Sequence, residues 1–423
     1  MTTEPTAAAD PGAEAAAALA LAEPVVAVQG RWTAAVVLAN VGVFAAWLGP
    51  IQVLLAKQSD AIAPGNKEFV FGLVTGVGAA VSVVANPLFG ALSDRTASRW
   101  GRRVPWVFGG AVGGAIGLLV LAGAGAVAWM LLGWCLVQLF CNALLAAITA
   151  AIPDRVPKLQ RGVVGGWVAL AQTLGALVGV GLATAVGGVG VGYLACAVFL
   201  LISVVPYLLG SGDQRLASRT PFAWPEFLRG FWVSPRRFPD FGWAWLTRFL
   251  LNLGNGLGTL YLFFYLQDAV SYDNPDTGVL ILTAIYSVCV LLTAVASGSW
   301  SDRLGRRKVF VTWSGVVMAV GAVVLAVWPT WSAAVVAAVI LGVGFGVYLS
   351  VDFALLTEVL PSARDRAKDL GVINIANSLP QVIAPAIAAP VVKYVGGYPM
   401  LYGSAAAVTL LGAVLVRRVR AVA

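Results

Sequence analysis

Gly90-Ala91-Leu92-Ser93-Asp94-Arg95, followed by Gly101-Arg102-Arg103, returns in the second half of the chain as Gly298-Ser299-Trp300-Ser301-Asp302-Arg303, followed by Gly305-Arg306-Arg307-Lys308. The aspartates stand 208 residues apart (94 to 302) and the Gly-Arg-Arg runs 204 (101 to 305). Further along, Ile152-Pro153-Asp154-Arg155-Val156-Pro157 is echoed by Leu356-Thr357-Glu358-Val359-Leu360-Pro361, again at 204 (154 to 358). An offset held over that length, after one four-residue difference, points to a duplicated architecture in which each half carries the same elements in the same order.

The chain around these repeats is lipid-soluble. Of its 423 residues 60% are hydrophobic and 11% charged, where soluble domains carry about 25% charged residues. Mean hydropathy is +0.88. Trp32–Ala56 and Val104–Pro153 contain no charge at all. About 20 apolar residues, at 1.5 Å each, cross the ~30 Å core of a bilayer, and helix is the conformation that satisfies the backbone there. Dividing the apolar blocks at charges and at Gly/Pro turns predicts spans at 32–56, 68–92, 104–124, 126–152, 162–186, 190–210, 243–267, 277–300, 308–328, 331–356, 370–392 and 397–416. The expected fold is an all-α membrane protein of about twelve transmembrane helices in two six-helix pseudo-repeat bundles. Its expected segments are a disordered cytoplasmic tail (1–31), the first bundle (32–210), a cytoplasmic interfacial linker (211–242), the second bundle (243–416) and a short cytoplasmic tail (417–423).

Orientation follows from the basic residues. With both termini and the even-numbered loops inside, 23 of the 27 Lys and Arg fall on the cytoplasmic side, Lys57, Lys67 and Lys393 on the other, and Arg248 within a span. A multi-pass protein of a bacterial cytoplasmic membrane is expected, working as a monomer. The first thirty residues carry Glu4, Asp10, Glu14 and Glu23 with no basic residue before Arg31, whereas a secretory leader has a basic start. The linker mixes Phe222, Trp224, Phe227, Phe231, Trp232 and Phe238 with arginines, a pattern suited to an anionic inner leaflet. Inside-positive loops account for the formal net charge of +8, so no nucleic-acid partner is expected. Cys135, Cys141, Cys196 and Cys289 lie in apolar blocks without CxxC spacing and read as small buried hydrophobes. There is no histidine, so proton chemistry falls to carboxylates, and no metal or cofactor is expected.

The duplicated G-x-L-x-D-R-x-x-x-x-x-G-R-R pattern at Gly90–Arg103 resembles the loop signature of the major facilitator superfamily, between that family's second and third helices. The resemblance implies two six-helix halves that rock about a midplane site, opening it alternately to each side. Glycine lets helix ends approach, Asp94 can cap a neighbouring helix, and arginines offer forks to carboxylates. Gating is accordingly assigned to Asp94, Arg95, Arg102, Arg103 and Asp154 in the first half, and to Asp302, Arg303, Arg306, Arg307 and Glu358 in the second. The longer stretches Ser93–Trp106 and Asp352–Pro361 resemble the glycoside–pentoside–hexuronide and sucrose-type symporters. Sodium-coupled members of that group keep carboxylates inside the first half. This chain has none between Glu68 and Asp94 or between Asp94 and Asp154, so a sodium site of that kind is not expected. The G-x-x-x-G-P pattern of drug–proton antiporters is also missing, since Ala176–Gly181 has glycines without the proline.

Two ionisable groups fall well inside spans, Arg248 in the seventh and Asp352 in the tenth. Such charges cost at least ~2.5–3.5 kcal/mol on insertion scales and usually face a cavity or a partner. Each lies about six residues from the inner end of its expected span, so a coupling ion pair and a pair of merely structural charges both fit. The family layout lines its cavity with the first, fourth, seventh and tenth helices, which makes Asn40, Trp47, Gln52, Gln138, Asn142, Asn252, Asn255, Tyr261 and Tyr348 substrate candidates. Asn374, Asn377 and Gln381 form a polar stripe on the eleventh. Trp32, Trp243 and Trp245 read as interfacial belt residues. An enzyme would need a converging catalytic set, and no His or Cys/His constellation, phosphate loop or in-span carboxylate pair occurs. The expected function is a secondary active transporter of a small organic solute, a sugar or glycoside, with a proton as coupling ion. The alternative is an exporter of drugs or secondary metabolites.

Overall fold

Each apolar block closes its own backbone hydrogen bonds as a helix, which is what lipid demands of it. The structure, a computed structural model, describes residues 24–185, 187–213, 236–304, 307–358 and 366–420, and no strand occurs among them. The expected tail residues 1–23, the linker residues 214–235 and Arg306 lie outside the described residues, as do the side chains of Asp302, Arg303, Glu358 and Asn374. In chain order the helices are α1 (Gly30–Ile62, through a π-turn at Pro50–Leu54), α2 (Lys67–Asp94), α3 (Val104–Ala122), α4 (Val127–Arg155), α5 (Lys158–Ala185) and α6 (Val189–Gly210). The second half holds α7 (Pro239–Leu260), α8 (Pro275–Leu304), α9 (Arg307–Val327), α10 (Trp331–Glu358), α11 (Arg366–Pro390) and α12 (Gly397–Leu415).

Two of these helices need an argument to be counted. After Leu260, α7 bends by 40° into a short arm, Leu262–Ala269, and the two parts together are long and apolar enough for one span. The helical run Ile375–Arg418 is 44 residues long, interrupted by Lys393; as one helix it would be about 66 Å long, twice a bilayer core. Gly396 (φ +154°) and Gly397 (φ +68°) adopt backbone angles that L side chains rarely reach, and they break the run into α11 and α12. Several helices overrun the sequence-expected spans at their even-loop ends. α2 reaches Asp94, α4 Arg155 and α8 Leu304, while α7 begins at Pro239. Hydropathy reports the thickness of the lipid, and a helix continues into water until its caps run out.

The duplication is visible in which helices touch. α1 packs on α5 and α6, α2 on α4, and α3 on α4 and α6; six helices later α7 packs on α11 and α12, α8 on α10, and α9 on α10 and α12. Between the halves α2 meets α11 and α5 meets α8, and moving either pair by six helices yields the other. Small residues make the close contacts, as expected where lipid gives no hydrophobic drive between helices. A Cβ on Gly179 of α5 would stand 2.8 Å from Ala45 Cα and 2.9 Å from Gly49 N of α1. Between the halves, a Cβ on Gly72 of α2 would meet Tyr261 Oη at 2.8 Å and Pro385 O at 3.2 Å. Trp32 is not a belt residue. It is buried, and its Nε1 donates to Ser211 O at 3.2 Å. Trp243 lies under the Arg418 guanidinium and Trp245 stacks on Phe249 at 5.6 Å.

Candidate functional site

Pro239 opens α7 with Asp240 in its first turn, both favourable at a helix start. Because the helix begins there, Arg248 lies nine residues in, about 14 Å along the axis. Asp352 is six residues, about 9 Å, from the end of α10. The long Arg side chain makes up the difference, and Arg248 Nη1 pairs with Asp352 Oδ2. Around them a closed ring forms across three helices. Arg248 Nε donates to Asn377 Oδ1 of α11 at 2.7 Å; Asn252 Nδ2 donates to that same oxygen and to Tyr348 Oη, each at 3.2 Å; Tyr348 hydrogen-bonds Asp352. Asp352 and Tyr348 are buried. An ion pair withdrawn from water in this way is costly to break, about 3–5 kcal/mol when one partner is removed.

This ring forms one wall of a cavity of about 490 Å³ between the halves. Trp47, Gln52, Gln138, Asn252, Asn255, Tyr348, Asn377 and Gln381 all line it, as does Arg248. Three other candidates do not. Asn40 lies one turn from Phe44, outside the cavity, and its amide bonds back to Val36 O at 2.8 Å. Asn142 sits behind Gln138 and accepts from Ser82 Oγ (3.2 Å) and Asn86 Nδ2 (3.3 Å), tying α4 to α2. Tyr261 stands at the bend in α7 between Leu260 and Leu262, which line the cavity, but its own side chain turns to α2 and donates to Glu68 O at 3.1 Å. The four-helix lining was too narrow as well. Ser82 on α2, Gln172 and Thr173 on α5, and Thr283, Tyr286 and Ser287 on α8 also face the space. These residues belong to α2, α5 and α8, which with α11 are the helices that meet across the halves, a contact the repeated motif does not reveal.

At the odd-loop end the cavity is sealed by polar contacts between the halves. Lys57 pairs with Asp276, Lys67 with Asp268 at 2.7 Å, and Lys393 bonds Asn66. Gln267 Nε2 donates to Asp60 at 2.9 Å, and within the second half Tyr398 Oη donates to Asp268 at 2.7 Å, steadying the carboxylate that Lys67 reaches. Sequence reasoning passed over these groups, although Lys57, Lys67 and Lys393 are the three basic residues it placed on that side, and all three reach the opposite half.

At the even-loop end Arg103 is buried and forks three ways, to Asp154 (Nε, 2.9 Å), Ser93 (Nη1, 2.5 Å) and Asp94 (Nη2, 2.5 Å). Arg102 pairs with the other oxygen of Asp154. Arg95 instead bonds Ala91 O at 3.0 Å. These contacts all stay inside the first half. In this conformation the cluster braces α2, α3 and α4 together, and the Asp94 side chain is 55% exposed. In the second half Arg307 opens α9, and the remaining gating candidates fall on side chains outside the described set.

With this geometry established, the comparisons with known proteins are specific. A profile described as Major Facilitator Superfamily matches residues 61–296 and 269–422. The chain is 27% identical over 391 residues to the uncharacterized MFS-type transporter YwfA of Bacillus subtilis (strain 168), covering 89% of each chain. It is 32% identical over 135 residues to myo-inositol transporter 3C of Cryptococcus neoformans var. grubii serotype A, covering 32% of this chain and 22% of that one. Among solved structures it superposes on the nucleoside transporter NupG with a TM-score of 0.73 at 15% identity, covering 92% of this chain and 100% of that one, a likeness of fold. Duplicated loop signature, paired six-helix halves, central cavity and profile agree: this integral, multi-pass membrane protein belongs to the Major Facilitator Superfamily.

Proposed function

We propose that the chain is a secondary transporter that carries a small, neutral, polyhydroxylated solute, a sugar or glycoside, across the membrane by alternating access, with a proton as coupling ion. The observation that carries this reading is the cavity. Amide and hydroxyl side chains from both halves line it together with the aromatic residues Phe44, Trp47, Trp134, Tyr286 and Phe345. Such a wall orients hydroxyls by hydrogen bonds and packs rings against C–H faces. Its guanidinium is matched by the Asp352 carboxylate, so a neutral solute leaves no charge uncompensated. The name of the myo-inositol relative supports the same solute class, and the stretches Ser93–Trp106 and Asp352–Pro361 support the glycoside-type subgroup. Arg248 keeps Asp352 as a carboxylate while they are paired. When the cycle parts them, Asp352 becomes the group that takes up and releases the proton.

The basic loops support cytoplasmic termini, so the sealed odd-loop end faces outward and this conformation serves the cytoplasmic side. In the opposite conformation the Asp94–Arg103–Asp154 cluster closes the even-loop end. The test is a thermal-shift screen of purified protein against myo-inositol, glycosides, nucleosides, organic acids and hydrophobic cations, followed by counterflow in proteoliposomes with the best ligand. Stabilisation and counterflow with a sugar or glycoside are expected. A response confined to hydrophobic cations would replace this reading with that of a drug exporter.

A further inference from the structure

The connector between the halves does not leave the first half where α6 ends. Ser211, Gly212 and Asp213 turn back onto three of its helices. Trp32 Nε1 of α1 donates to Ser211 O at 3.2 Å, and Arg155 Nη1 at the end of α4 donates to Gly212 O at 2.6 Å. Asp213 Oδ2 accepts the backbone N–H groups of Arg103, at 2.5 Å, and of Val104, at 2.9 Å. Val104 is the first residue of α3, so these are donors that a helix start leaves without an internal partner. A cap usually comes from the residue just before the helix. Here it arrives from 109 residues further along the chain.

The seat for this carboxylate is built into the signature loop. Gly101 has φ +99°, and a Cβ on it would fall 2.5 Å from Asp213 Cγ and 2.6 Å from Asp213 Cβ. The space that glycine leaves empty is filled by the Asp213 side chain. On the connector side Gly212 has φ +55°, with Arg155 Nη2 2.7 Å from where its Cβ would stand. Burial pushes the Asp213 carboxyl above the ordinary carboxylate range, against the pull of the two N–H groups and of Arg103 and Arg102.

We propose that Asp213 is a positioning residue for the even-loop gate: by capping α3 it fixes the backbone of Arg103, so that one guanidinium reaches Ser93, Asp94 and Asp154 together. The connector thereby sets how firmly that cluster holds. This role rests on the transporter reading, in which the cluster must also hold when the even-loop end is closed. Here the cluster only braces α2, α3 and α4, whereas closing the even-loop end also needs it to hold the halves together, so loosening it costs that closed conformation more and biases the protein toward the one sealed at the odd-loop end.

The test uses full-length protein in lipid nanodiscs without solute. Cys135 and Cys289 are replaced by Ala, and spin labels are placed at Gly65→Cys and Thr277→Cys on either side of the odd-loop seal. Asp213→Ala should raise the ratio of short to long label distances about fivefold, the worth of a typical cap, while Asp213→Asn, whose amide oxygen still accepts, stays within about twofold. A merely structural residue would lower the unfolding temperature and leave that ratio unmoved, and this result would overturn the proposal. So would an Asn variant that shifts as far as Ala, because charge and not capping would then be at work. If the Ala protein does not fold, Asp213→Glu keeps the charge but does not fit the seat over Gly101, and it should shift the ratio the same way; a wild-type distribution there overturns the proposal too. A single distance population in the unaltered protein would instead remove alternating access itself, and this role with it.

Discussion

The two halves share their helix contacts and their signature loops, but differ in what they place inside the apolar layer. In the first half, Arg102, Arg103, Asp94 and Asp154 stand at the helix ends, and the polar groups in the cavity wall of α1, α2, α4 and α5 are amides, hydroxyls and indoles set among apolar side chains. In the second half a guanidinium and a carboxylate are drawn into the apolar layer and held by Tyr348, Asn252 and Asn377. A neutral wall contributes through many small terms, each near the ~1 kcal/mol of a net hydrogen bond. A buried pair works as a unit, because removing either member strands the other. The comparison therefore predicts all-or-none behaviour on one side of the cavity and graded behaviour on the other.

The largest effect should come from making the second half resemble the first. Asp352→Asn is expected to abolish proton-driven accumulation, a loss of about a hundredfold or more, while solute counterflow persists. It should also destabilise the protein by about 3 kcal/mol, because Arg248 is left without its counter-charge. Adding Arg248→Gln should return much of that stability without restoring accumulation. Arg248→Lys keeps the charge and loses the fork to Asn377, so uptake should still fall. Uphill accumulation by the Asn variant would make the pair structural and leave the halves functionally alike.

Next in size is the first half's own charge cluster. Asp94→Asn removes the exposed end of the Arg103 fork, and transport is expected to drop about tenfold, in line with one lost charge-assisted hydrogen bond. Membrane insertion and the solute KM should be unchanged. Wild-type velocity in that variant would show that the cluster only braces α2, α3 and α4, as it does in this conformation, and never closes a gate.

Most of the architecture was legible because hydropathy and a 204-residue offset report on lipid and on duplication independently. Pairing Arg248 with Asp352 was also legible, since two isolated charges in an apolar layer have few other partners. Asn40 and Tyr261 were misplaced for a common reason. A helix number says which helix faces the cavity, but not at what height the cavity lies or where a bend such as that after Leu260 redirects the side chains. The odd-loop seal escaped because Lys57, Lys67 and Lys393 are unremarkable surface lysines until the fold sets Asp276, Asp268 and Asn66 opposite them. Asp213 could not have been foreseen, because its partners are backbone N–H groups that carry no residue-type signal.

The smallest expected effect is the sharpest probe of the neutral wall. Gln172 of α5 faces the cavity, and α5 is one of the helices that meet the other half. If the first half binds solute through dispersed hydrogen bonds, Gln172→Ala should raise the KM of the solute found in the screen about fivefold, the equivalent of one net hydrogen bond. kcat should stay as it was, because an interaction made equally before and during the conformational change lowers KM without speeding the cycle. Gln138→Ala should behave alike but with a smaller rise, since that side chain also contacts Asn142 Nδ2 at 3.3 Å and is partly committed within its own helix. The two together should multiply, as independent sites do. A fall in kcat at constant KM would mean that α5 senses the gate as well as the solute. The first half would then share the all-or-none character assigned here to the second alone.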